Sequence, residues 1–250
     1  MNNFKITIKG IVQGVGFRPF VYREAIRYGI CGFVCNTPDG VVIEAQGEQC
    51  ELFIRALREN LPERARIDSM EIEACEVTDY SDFEIRESAL GKSSVAIPLD
   101  TALCPVCQAE MDDPHNRRYR YPFINCTDCG PRYTIIQTPP YDRVRTSMKH
   151  FTMCSECLEE YNDPTSRRYH AEPISCPHCG PKLTFLDNRG DEIAGDPIDL
   201  AVEMLKAGKI IALKGLGQLH LMCDDTSDAT VSELRQLKQP NSKPHAVMFS

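Results

Sequence analysis

Between residues 104 and 180 the chain contains the same cysteine motif twice. Each copy has two Cys-x2-Cys pairs separated by 18 residues, and the second copy lies 50 positions after the first. The cysteines are Cys104, Cys107, Cys126 and Cys129 in the first copy, and Cys154, Cys157, Cys176 and Cys179 in the second. Four thiolates in two such pairs form a closed tetrahedral shell that is typical of structural zinc. The repeat therefore predicts two zinc modules whose folding depends on the metal.

The repeat extends beyond the cysteines. The other matching residues include Glu110 with Glu160, Asp113-Pro114 with Asp163-Pro164, Arg117–Tyr119 with Arg167–Tyr169, and Gly130-Pro131 with Gly180-Pro181. Both glycines follow the last cysteine of a copy, where we expect a positive φ. The alternatives to zinc are reduced buried cysteines or disulfides. The spacing also leaves the pairing open, because each ion could take the four cysteines of one copy or a crossed set.

Charge and the N-terminal residues limit the class of protein. The chain has 28 basic and 36 acidic side chains and a formal net charge of −8, which opposes binding to a phosphate backbone. The two Arg-Arg-Tyr sequences could still form a local basic patch. The chain has no apolar signal core and no apolar run long enough for a membrane helix. Because thirteen cysteines occur without an export signal, we expect a cytoplasmic protein.

The first 90 residues show the pattern βαββαβ, which predicts a ferredoxin-like α/β sandwich. Alternating or short apolar runs indicate strands, and apolar residues at helical spacing indicate two helices. The predicted strands are 4–12, 32–36, 41–45, 70–77 and 83–85, and the predicted helices are 17–28 and 51–61. The overall fold class is α+β, with residues 1–90 forming the first domain.

Two further regions follow the first domain. Residues 91–195 comprise a linker and the tandem cysteine modules, in which no regular periodicity is evident. Residues 196–250 predict a short α/β segment that the chain end interrupts in mid-domain. Its expected elements are a helix from Pro197, a buried strand over 209–213, a strand over 219–221, a helix over 229–237 and the start of a strand over 246–250.

A glycine-rich turn joins the first strand to the first helix. Its sequence is Gly10-x-Val12-x-Gly14-Val15-Gly16-Phe17-Arg18. Glycines let consecutive backbone N–H groups point inward at an anion, and a helix N-terminus favours negative charge. Arg18 is placed to bind the same anion with its forked guanidinium. The alternative is a tight turn followed by a surface arginine.

This turn, together with the sequence Gly32-Phe33-Val34-Cys35-Asn36, resembles both signatures of the acylphosphatase family. The resemblance implies that Arg18 binds the phosphate and that Asn36 orients the attacking water. It also implies a phosphate cradle formed by the backbone of Gln13, Gly14, Val15, Gly16, Phe17 and Arg18.

The order of the three regions is similar to the N-terminal part of the HypF-type carbamoyltransferases of NiFe-hydrogenase maturation. The segment from Leu213 to Met248 resembles the start of their YrdC-type, carbamoyl-adenylating domain. That resemblance implies nucleotide binding by Lys214, Lys238 and Lys243. The chain departs from the family at Pro240, where an arginine is usual. The resemblance implies that this position helps to bind nucleotide and phosphate, so the departure argues against adenylation by this segment. We expect the chain to be an N-terminal fragment of such an enzyme.

The resemblance implies a reaction sequence. Carbamoyl phosphate is hydrolysed at the acylphosphatase-like site, and the carbamate reacts with ATP to form carbamoyl-adenylate. The carbamoyl group then passes to the C-terminal cysteine of a HypE-type partner, and it ends as the cyanide ligands of the hydrogenase iron. Two structural zinc ions and ATP are the implied cofactors. The alternatives are a stand-alone acylphosphatase with a zinc scaffold, or a zinc-dependent module that binds protein or RNA.

Overall fold

The computed structural model describes residues 2–76, 80–89, 98–215, 218–238 and 245–248. Two compact units make up the chain, Met1–Pro181 and Lys182–Ser250. Some predicted features lie outside the described residues, namely those at Val77, residues 90–97 of the linker, Leu216–Gly217, Pro240, Lys243 and Phe249–Ser250. In the ranges given above, no helix combines the length and apolar character that crossing a membrane would need.

A five-stranded sheet with two helices forms the first part of unit Met1–Pro181. The elements are β1 (Asn2–Ile11), α1 (Phe17–Arg27), β2 (Cys31–Thr37), β3 (Gly40–Gly47), α2 (Cys50–Glu59), β4 (Arg66–Ala74) and β5 (Phe83–Ile85). The strand order is β4-β1-β3-β2-β5. All neighbours are antiparallel except β2 and β5, which are parallel. The ferredoxin-like prediction is confirmed, and β5 extends the sheet beside β2.

The core of this part lies between the sheet and the two helices. Ile6 and Ile8 of β1 alternate with exposed or half-buried residues, and Ile43 lies opposite Ile6 on β3. Phe17 and Phe53 supply the largest fully buried helical side chains in this cluster. Burial of each such side chain contributes about 1.5–3 kcal/mol. This packing fixes the start of α1 against the end of β1, and thereby the position of the turn between them.

Each cysteine module begins with a short helix that the sequence pattern did not predict. The helices are α3 (Pro105–Asp112) and α4 (Ser155–Asn162). Each starts directly after the first cysteine of its copy, and the sulfur of Cys104 accepts a hydrogen bond from the backbone N–H of Cys107. Helices of eight residues bury too few apolar side chains to produce a recognisable periodicity. In each helix the one buried residue is a cysteine, Cys107 or Cys157.

The two glycines that follow the modules differ from each other. Gly130 has φ +92°, as expected, whereas φ of Gly180 is not in the left-handed range. The prediction of a positive φ is therefore wrong for Gly180. There the need for glycine is steric, because a Cβ atom would come within 2.2 Å of Tyr121 Oη and 2.5 Å of Ser175 Cβ.

Unit Lys182–Ser250 contains α5 (Pro197–Lys206), β6 (Ile211–Lys214), β7 (Leu219–Met222) and α6 (Asp228–Leu237). β6 and β7 form an antiparallel pair. Two predictions are wrong here. The strand over 209–213 is not buried, since Leu213 is 45% exposed, and residues 245–248 are not a strand. A strand becomes buried only when other layers cover both faces of its sheet. In the described part of the chain β6 pairs with β7 alone, and such a small sheet leaves its side chains exposed.

Candidate active site and zinc centres

The eight repeated cysteines form two groups, one from each copy of the motif. In each group all four sulfurs lie within 4.8 Å of one another. The shortest S–S distances are 3.6–3.8 Å. A tetrahedral ion with Zn–S bonds of about 2.3 Å requires S–S distances of about 3.8 Å. The residues present therefore fit zinc, in the sequential sets Cys104, Cys107, Cys126 and Cys129, and Cys154, Cys157, Cys176 and Cys179. All of them are free thiols, so disulfides are excluded.

The arginine pairs of the repeat connect the two modules to each other. Arg117 Nη2 donates to Cys157 Sγ at 3.3 Å and to Glu160 at 2.6 Å. The equivalent Arg167 Nη2 donates to Cys107 Sγ at 3.5 Å and to Glu110 at 2.8 Å. Each module thus supplies a cation to a sulfur and a carboxylate of the other.

The second arginine of each pair is buried. Arg118 and Arg168 are 2% and 4% exposed. The Nε of Arg118 donates to Ser175 O at 2.9 Å, and the Nε of Arg168 donates to Asn125 O at 2.9 Å. Both side chains also pair with the glutamate of the other module. The possible basic patch is therefore not formed by these arginines, since their charge is used within the protein.

The arginines change the pKa values of Glu110 and Glu160. Burial raises the pKa of each carboxyl, but hydrogen bonds and the charge of the arginines outweigh that effect, so both pKa values lie below the ordinary value. Both groups therefore stay ionised at neutral pH, and the ion pairs between modules persist there.

The turn between β1 and α1 is held by its own side chains and by its surroundings. The Nε2 of Gln13 donates to Thr37 O at 2.9 Å and to Gly40 O at 2.8 Å, and its Oε1 accepts the backbone N–H of Tyr141 at 3.2 Å. Gly14 and Gly16 have φ +69° and +70°. These bonds fix the turn in the curled conformation that an anion cradle requires.

Arg132 connects the first zinc module to the same turn. The residue is 3% exposed, and its guanidinium donates to Gly14 O in the turn. It also donates to the carbonyls of Cys126 and Cys129 at 3.0 and 3.1 Å. The sequence contains no signal for this role, because Arg132 and Gly14 are 118 positions apart.

A half-open cleft lies where the turn meets the zinc modules. From the predicted site it is lined by Gln13, Gly14, Gly16, Phe17, Arg18 and Asn36. From the zinc modules and the segment between them it is lined by Thr127, Arg132, Tyr141, His170 and Glu172. The structure thus brings Arg18 and Asn36 to one cleft. Val15 is instead 4% exposed within the core of the first part.

Asn36 is 1% exposed and lies on β2. Its Oδ1 is buried and has no hydrogen-bond partner among the residues that the structure describes. Buried polar atoms are nearly always paired, so such an atom suits a site where a water or substrate binds.

Arg18 is also buried, and it pairs with two carboxylates from outside its own domain. Its Nη2 lies 2.7 Å from Glu172 Oε1 and 3.2 Å from Asp142 Oδ1. Burial lowers the pKa of Arg18, but the two carboxylates outweigh this effect and raise it. Burial raises the pKa of Glu172, and repulsion from Asp142 adds to this effect. The charge of Arg18 lowers the same pKa but does not outweigh them. Arg18 therefore remains a cation in the cleft.

His170 contributes a neutral ring to the cleft wall. Burial lowers its pKa to about 4, and the charge of Arg18 adds to that effect. The ring packs against Tyr161 and Tyr169, with centroid distances of 4.9 and 4.6 Å. The backbone φ of +50° equals, within a few degrees, the +55° of Arg120, its counterpart in the first copy.

Glu172 and His170 were not predicted as site residues, yet the sequence contains one signal for them. They lie where the two copies of the repeat differ, since Arg120 and Pro122 occupy the equivalent positions of the first copy. The second module therefore has residues of its own at the cleft.

The predicted nucleotide residues of the third segment lie in unit Lys182–Ser250. Lys214 ends β6, and Lys238 directly follows α6. Both are exposed. Lys243 lies outside the described residues. Nucleotide binding by these lysines stays a prediction.

Three family models match successive parts of the chain. The family described as Acylphosphatase matches residues 4–85, and the family described as HypF finger matches 103–136 and 153–186. The Sua5–YciO–YrdC family, described as Telomere recombination, matches residues 203–250. Their order agrees with the three regions described above.

Individual relatives show the same similarity. Carbamoyltransferase HypF2 of Cupriavidus necator is 52% identical over 98% of this chain, which corresponds to 31% of that relative. An acylphosphatase of Oceanobacillus iheyensis is 40% identical over 34% of this chain and 99% of its own length. The crystal structure of full-length HypF in a phosphate- and nucleotide-bound form has a TM-score of 0.90 and 45% identity, covering 98% of this chain and 32% of that one. The chain thus spans about a third of the HypF proteins that it matches.

Proposed function

The chain belongs to the HypF family of carbamoyltransferases, whose N-terminal third it represents, and from this premise we propose that its cleft hydrolyses carbamoyl phosphate. The first part belongs at the same time to the acylphosphatase family. One observation supports the proposal most strongly. The cleft is lined by the curled glycine turn, by Arg18 and by Asn36, whose buried side-chain oxygen has no partner among the described residues.

The residues of the cleft have separate tasks in this reaction. Backbone N–H groups of residues 13–18 and the guanidinium of Arg18 bind the phosphoryl oxygens, and Asn36 Oδ1 accepts a hydrogen bond from the attacking water. The water oxygen bonds to phosphorus while the bond from phosphorus to the carbamoyl oxygen breaks. The products are carbamate and inorganic phosphate, which takes both protons of the water. Because carbamate is a good leaving group, positioning and charge stabilisation suffice.

The zinc ions have a structural role in this proposal. Each four-cysteine shell is closed, so it leaves no position for substrate. The reducing cytoplasm would keep these thiols available for the metal. We therefore assign the protein to the cytoplasm, with two structural zinc ions per chain.

This chain spans about a third of the HypF proteins that it matches, and we assign the later steps to the complete protein. We propose domains at residues 1–90, 91–195 and 196–250, the last being the beginning of the YrdC-type domain. In that domain carbamate reacts with ATP to form carbamoyl-adenylate, and Lys214, Lys238 and Lys243 contact the nucleotide. The carbamoyl group then passes to the C-terminal cysteine of a HypE-type protein.

A second candidate function is that of a general acylphosphatase with a zinc scaffold. The observation in its favour is that acylphosphatases match the first part along nearly their whole length. Such an enzyme would hydrolyse acetyl phosphate as well as carbamoyl phosphate, since it would recognise only the phosphoryl group and not the acyl group.

The experiment compares phosphate release from carbamoyl phosphate and acetyl phosphate by the zinc-loaded chain. We expect a higher kcat/KM for carbamoyl phosphate, and a kcat about 100-fold lower in Asn36→Ala. Asn60→Ala, which changes an exposed residue just after α2, is the control and should match the wild type. Equal kcat/KM for both substrates would favour the general acylphosphatase. Undiminished kcat in Asn36→Ala would contradict the role of Asn36.

A further inference from the structure

Arg18 is bound on one side by groups that an acylphosphatase-type domain does not itself supply. Glu172 comes from the second zinc module, and Asp142 comes from the segment between the modules. Both carboxylates approach the same nitrogen, Nη2, and the side chain of Glu172 is 3% exposed. A buried charge-assisted contact of 2.7 Å restricts a guanidinium far more than a surface ion pair does.

Glu172 is itself held in place. Its Oε2 accepts hydrogen bonds from the backbone N–H of Arg143 at 2.9 Å and from Tyr161 Oη at 3.1 Å. Its backbone carbonyl accepts from Arg143 Nη1 at 2.7 Å. The carboxylate therefore has one fixed oxygen, Oε2, and one, Oε1, that contacts Arg18.

These carboxylates are unsuited to bind the substrate directly. A phosphoryl group is anionic, and a carboxylate beside it would repel it. A guanidinium, however, has donors on more than one edge of its fork. A carboxylate at Nη2 can therefore orient the group while another edge faces the phosphate. Arginine has a long, flexible side chain, and a site gains when such a side chain is ordered before the substrate arrives.

We propose that Glu172, assisted by Asp142, is a positioning residue that holds the guanidinium of Arg18 in the geometry for binding phosphate. This assignment rests on the proposed function of the cleft. It makes the second zinc module part of the phosphate site, through one carboxylate that the first module lacks. Removal of the charge of Glu172 frees Arg18 and weakens phosphate binding and turnover.

The opposite role, obstruction of the site, gives the opposite result. If Glu172 occupied the place of the phosphate on Arg18, its neutralisation would strengthen phosphate binding. Charge and shape can be separated, because Glu172→Gln keeps the size of the side chain, and Glu172→Asp keeps its charge. Asp142→Asn tests the second carboxylate independently, at a side chain that is 18% exposed.

The experiment measures two quantities in the zinc-loaded chain: kcat and KM for carbamoyl phosphate, and the dissociation constant of inorganic phosphate followed by ³¹P NMR. We expect Glu172→Gln to weaken phosphate binding about tenfold and to lower kcat/KM by at least as much. Asp142→Asn should have a smaller effect in the same direction, and Glu172→Asp should recover part of the loss. Glu159→Gln, at an exposed position of α4, is the matched control and should leave both quantities unchanged.

A double-mutant cycle shows whether Glu172 acts through Arg18. In the Arg18→Ala background, Glu172→Gln should change phosphate affinity less than twofold, since there is no guanidinium left to position. Equal losses in both backgrounds would overturn the assignment, and so would tighter phosphate binding in Glu172→Gln. Circular dichroism and zinc content establish that each variant is folded. If Glu172→Gln fails to fold, the same cycle with Asp142→Asn decides the question.

Failure of the proposed function gives a different pattern. If the wild type binds inorganic phosphate but does not hydrolyse carbamoyl phosphate, the reaction is wrong, and the cycle of phosphate affinities still tests Glu172. If the wild type neither binds phosphate nor hydrolyses carbamoyl phosphate, both the reaction and the positioning role are overturned. If the wild type is active and Glu172→Gln equals it, the positioning role alone is wrong.

Discussion

The guanidinium of Arg18 lies 2.7 Å from the carboxylate of Glu172, although 154 positions separate the two residues in the chain. Arg18 is the second residue of α1 in the ferredoxin-like part, and Glu172 belongs to the second cysteine module. The candidate phosphate site is therefore built by two regions that the sequence presents as separate domains. The predictions below test how this site and the modules behind it depend on individual residues.

The phosphate turn depends on the small size of Gly16. An alanine there has to adopt φ near +70° and places its Cβ 3.3 Å from Thr127 Cβ. Gly29 has a similar φ of +61°, but a Cβ there meets no atom within 4 Å. Both alanine variants should lose about 1–2 kcal/mol of stability from the left-handed backbone. Only Gly16→Ala should also raise the KM for carbamoyl phosphate, by about tenfold as the cradle distorts. Steady-state kinetics check this, and equal KM values in the two variants would contradict it.

The arginines between the modules should contribute strongly to stability. Arg118→Ala removes a buried guanidinium and leaves Ser175 O and Glu160 without that donor. We expect a loss of about 2–3 kcal/mol in the free energy of unfolding, measured by urea titration of the zinc-loaded chain. Arg55→Ala at an exposed position of α2 should change it by less than about 0.5 kcal/mol. Equal midpoints for both variants would show that the contacts between modules contribute little.

Zinc content should follow the two sequential cysteine groups. Native mass spectrometry should find two zinc ions per wild-type chain, and one in Cys176→Ser, which loses a ligand of the second group alone. Cys223→Ser, outside both groups, should keep two ions. Chelation of zinc should also abolish phosphate release, since Arg132 joins carbonyls of the first module to the phosphate turn. Full activity of the zinc-free chain would contradict that connection.

His170 should make the stability of the protein depend on pH. Its pKa is about 4 in the folded protein, against an ordinary value of 6.5. The unfolded chain therefore binds a proton below about pH 6.5 that the folded chain accepts only near pH 4. Stability should fall as pH falls between these values. His170→Asn lacks this group, and asparagine tolerates the positive φ. We take the free energy of unfolding of His170→Asn minus that of the wild type, with zinc in excess. This difference should be more favourable to the variant at pH 5 than at pH 7.5, by on the order of 1 kcal/mol. An unchanged difference, measured by thermal unfolding at both pH values, would contradict the burial of a neutral imidazole.

Several elements could be predicted from the sequence because their signals are local. The alternation of β1 and the apolar spacing of α1 and α2 give the ferredoxin-like order, and the repeated cysteine spacing gives two metal groups. The helices α3 and α4 could not be predicted, because each is eight residues long and buries a single cysteine. The strand over 209–213 was wrongly predicted as buried, since apolar residues alone do not show whether a second layer covers them.

For the candidate site too, the sequence predicts only the residues that lie in local motifs. Arg18 and Asn36 were predicted because a turn and a strand contain them in recognisable motifs. Asp142, Arg132 and Glu172 act through contacts over 100 or more positions, which no local pattern encodes. The difference between the two copies at Glu172 and Pro122 was the one available signal. The sequence also allows the repeated arginines to form a basic patch, because it does not show that their carboxylate partners lie in the other copy.

Phosphate release from carbamoyl phosphate by wild type, Arg18→Ala and Arg23→Ala tests the central claim most directly. Arg23 lies on the same helix as Arg18 but is exposed, so it controls for loss of a cation from α1. We predict release by the wild type and by Arg23→Ala at the same rate, and a kcat/KM at least 100-fold lower in Arg18→Ala, with zinc content and circular dichroism unchanged in all three. Equal release by Arg18→Ala and the wild type, or no release by the folded, zinc-loaded wild type, would contradict an acylphosphatase-type site in this cleft.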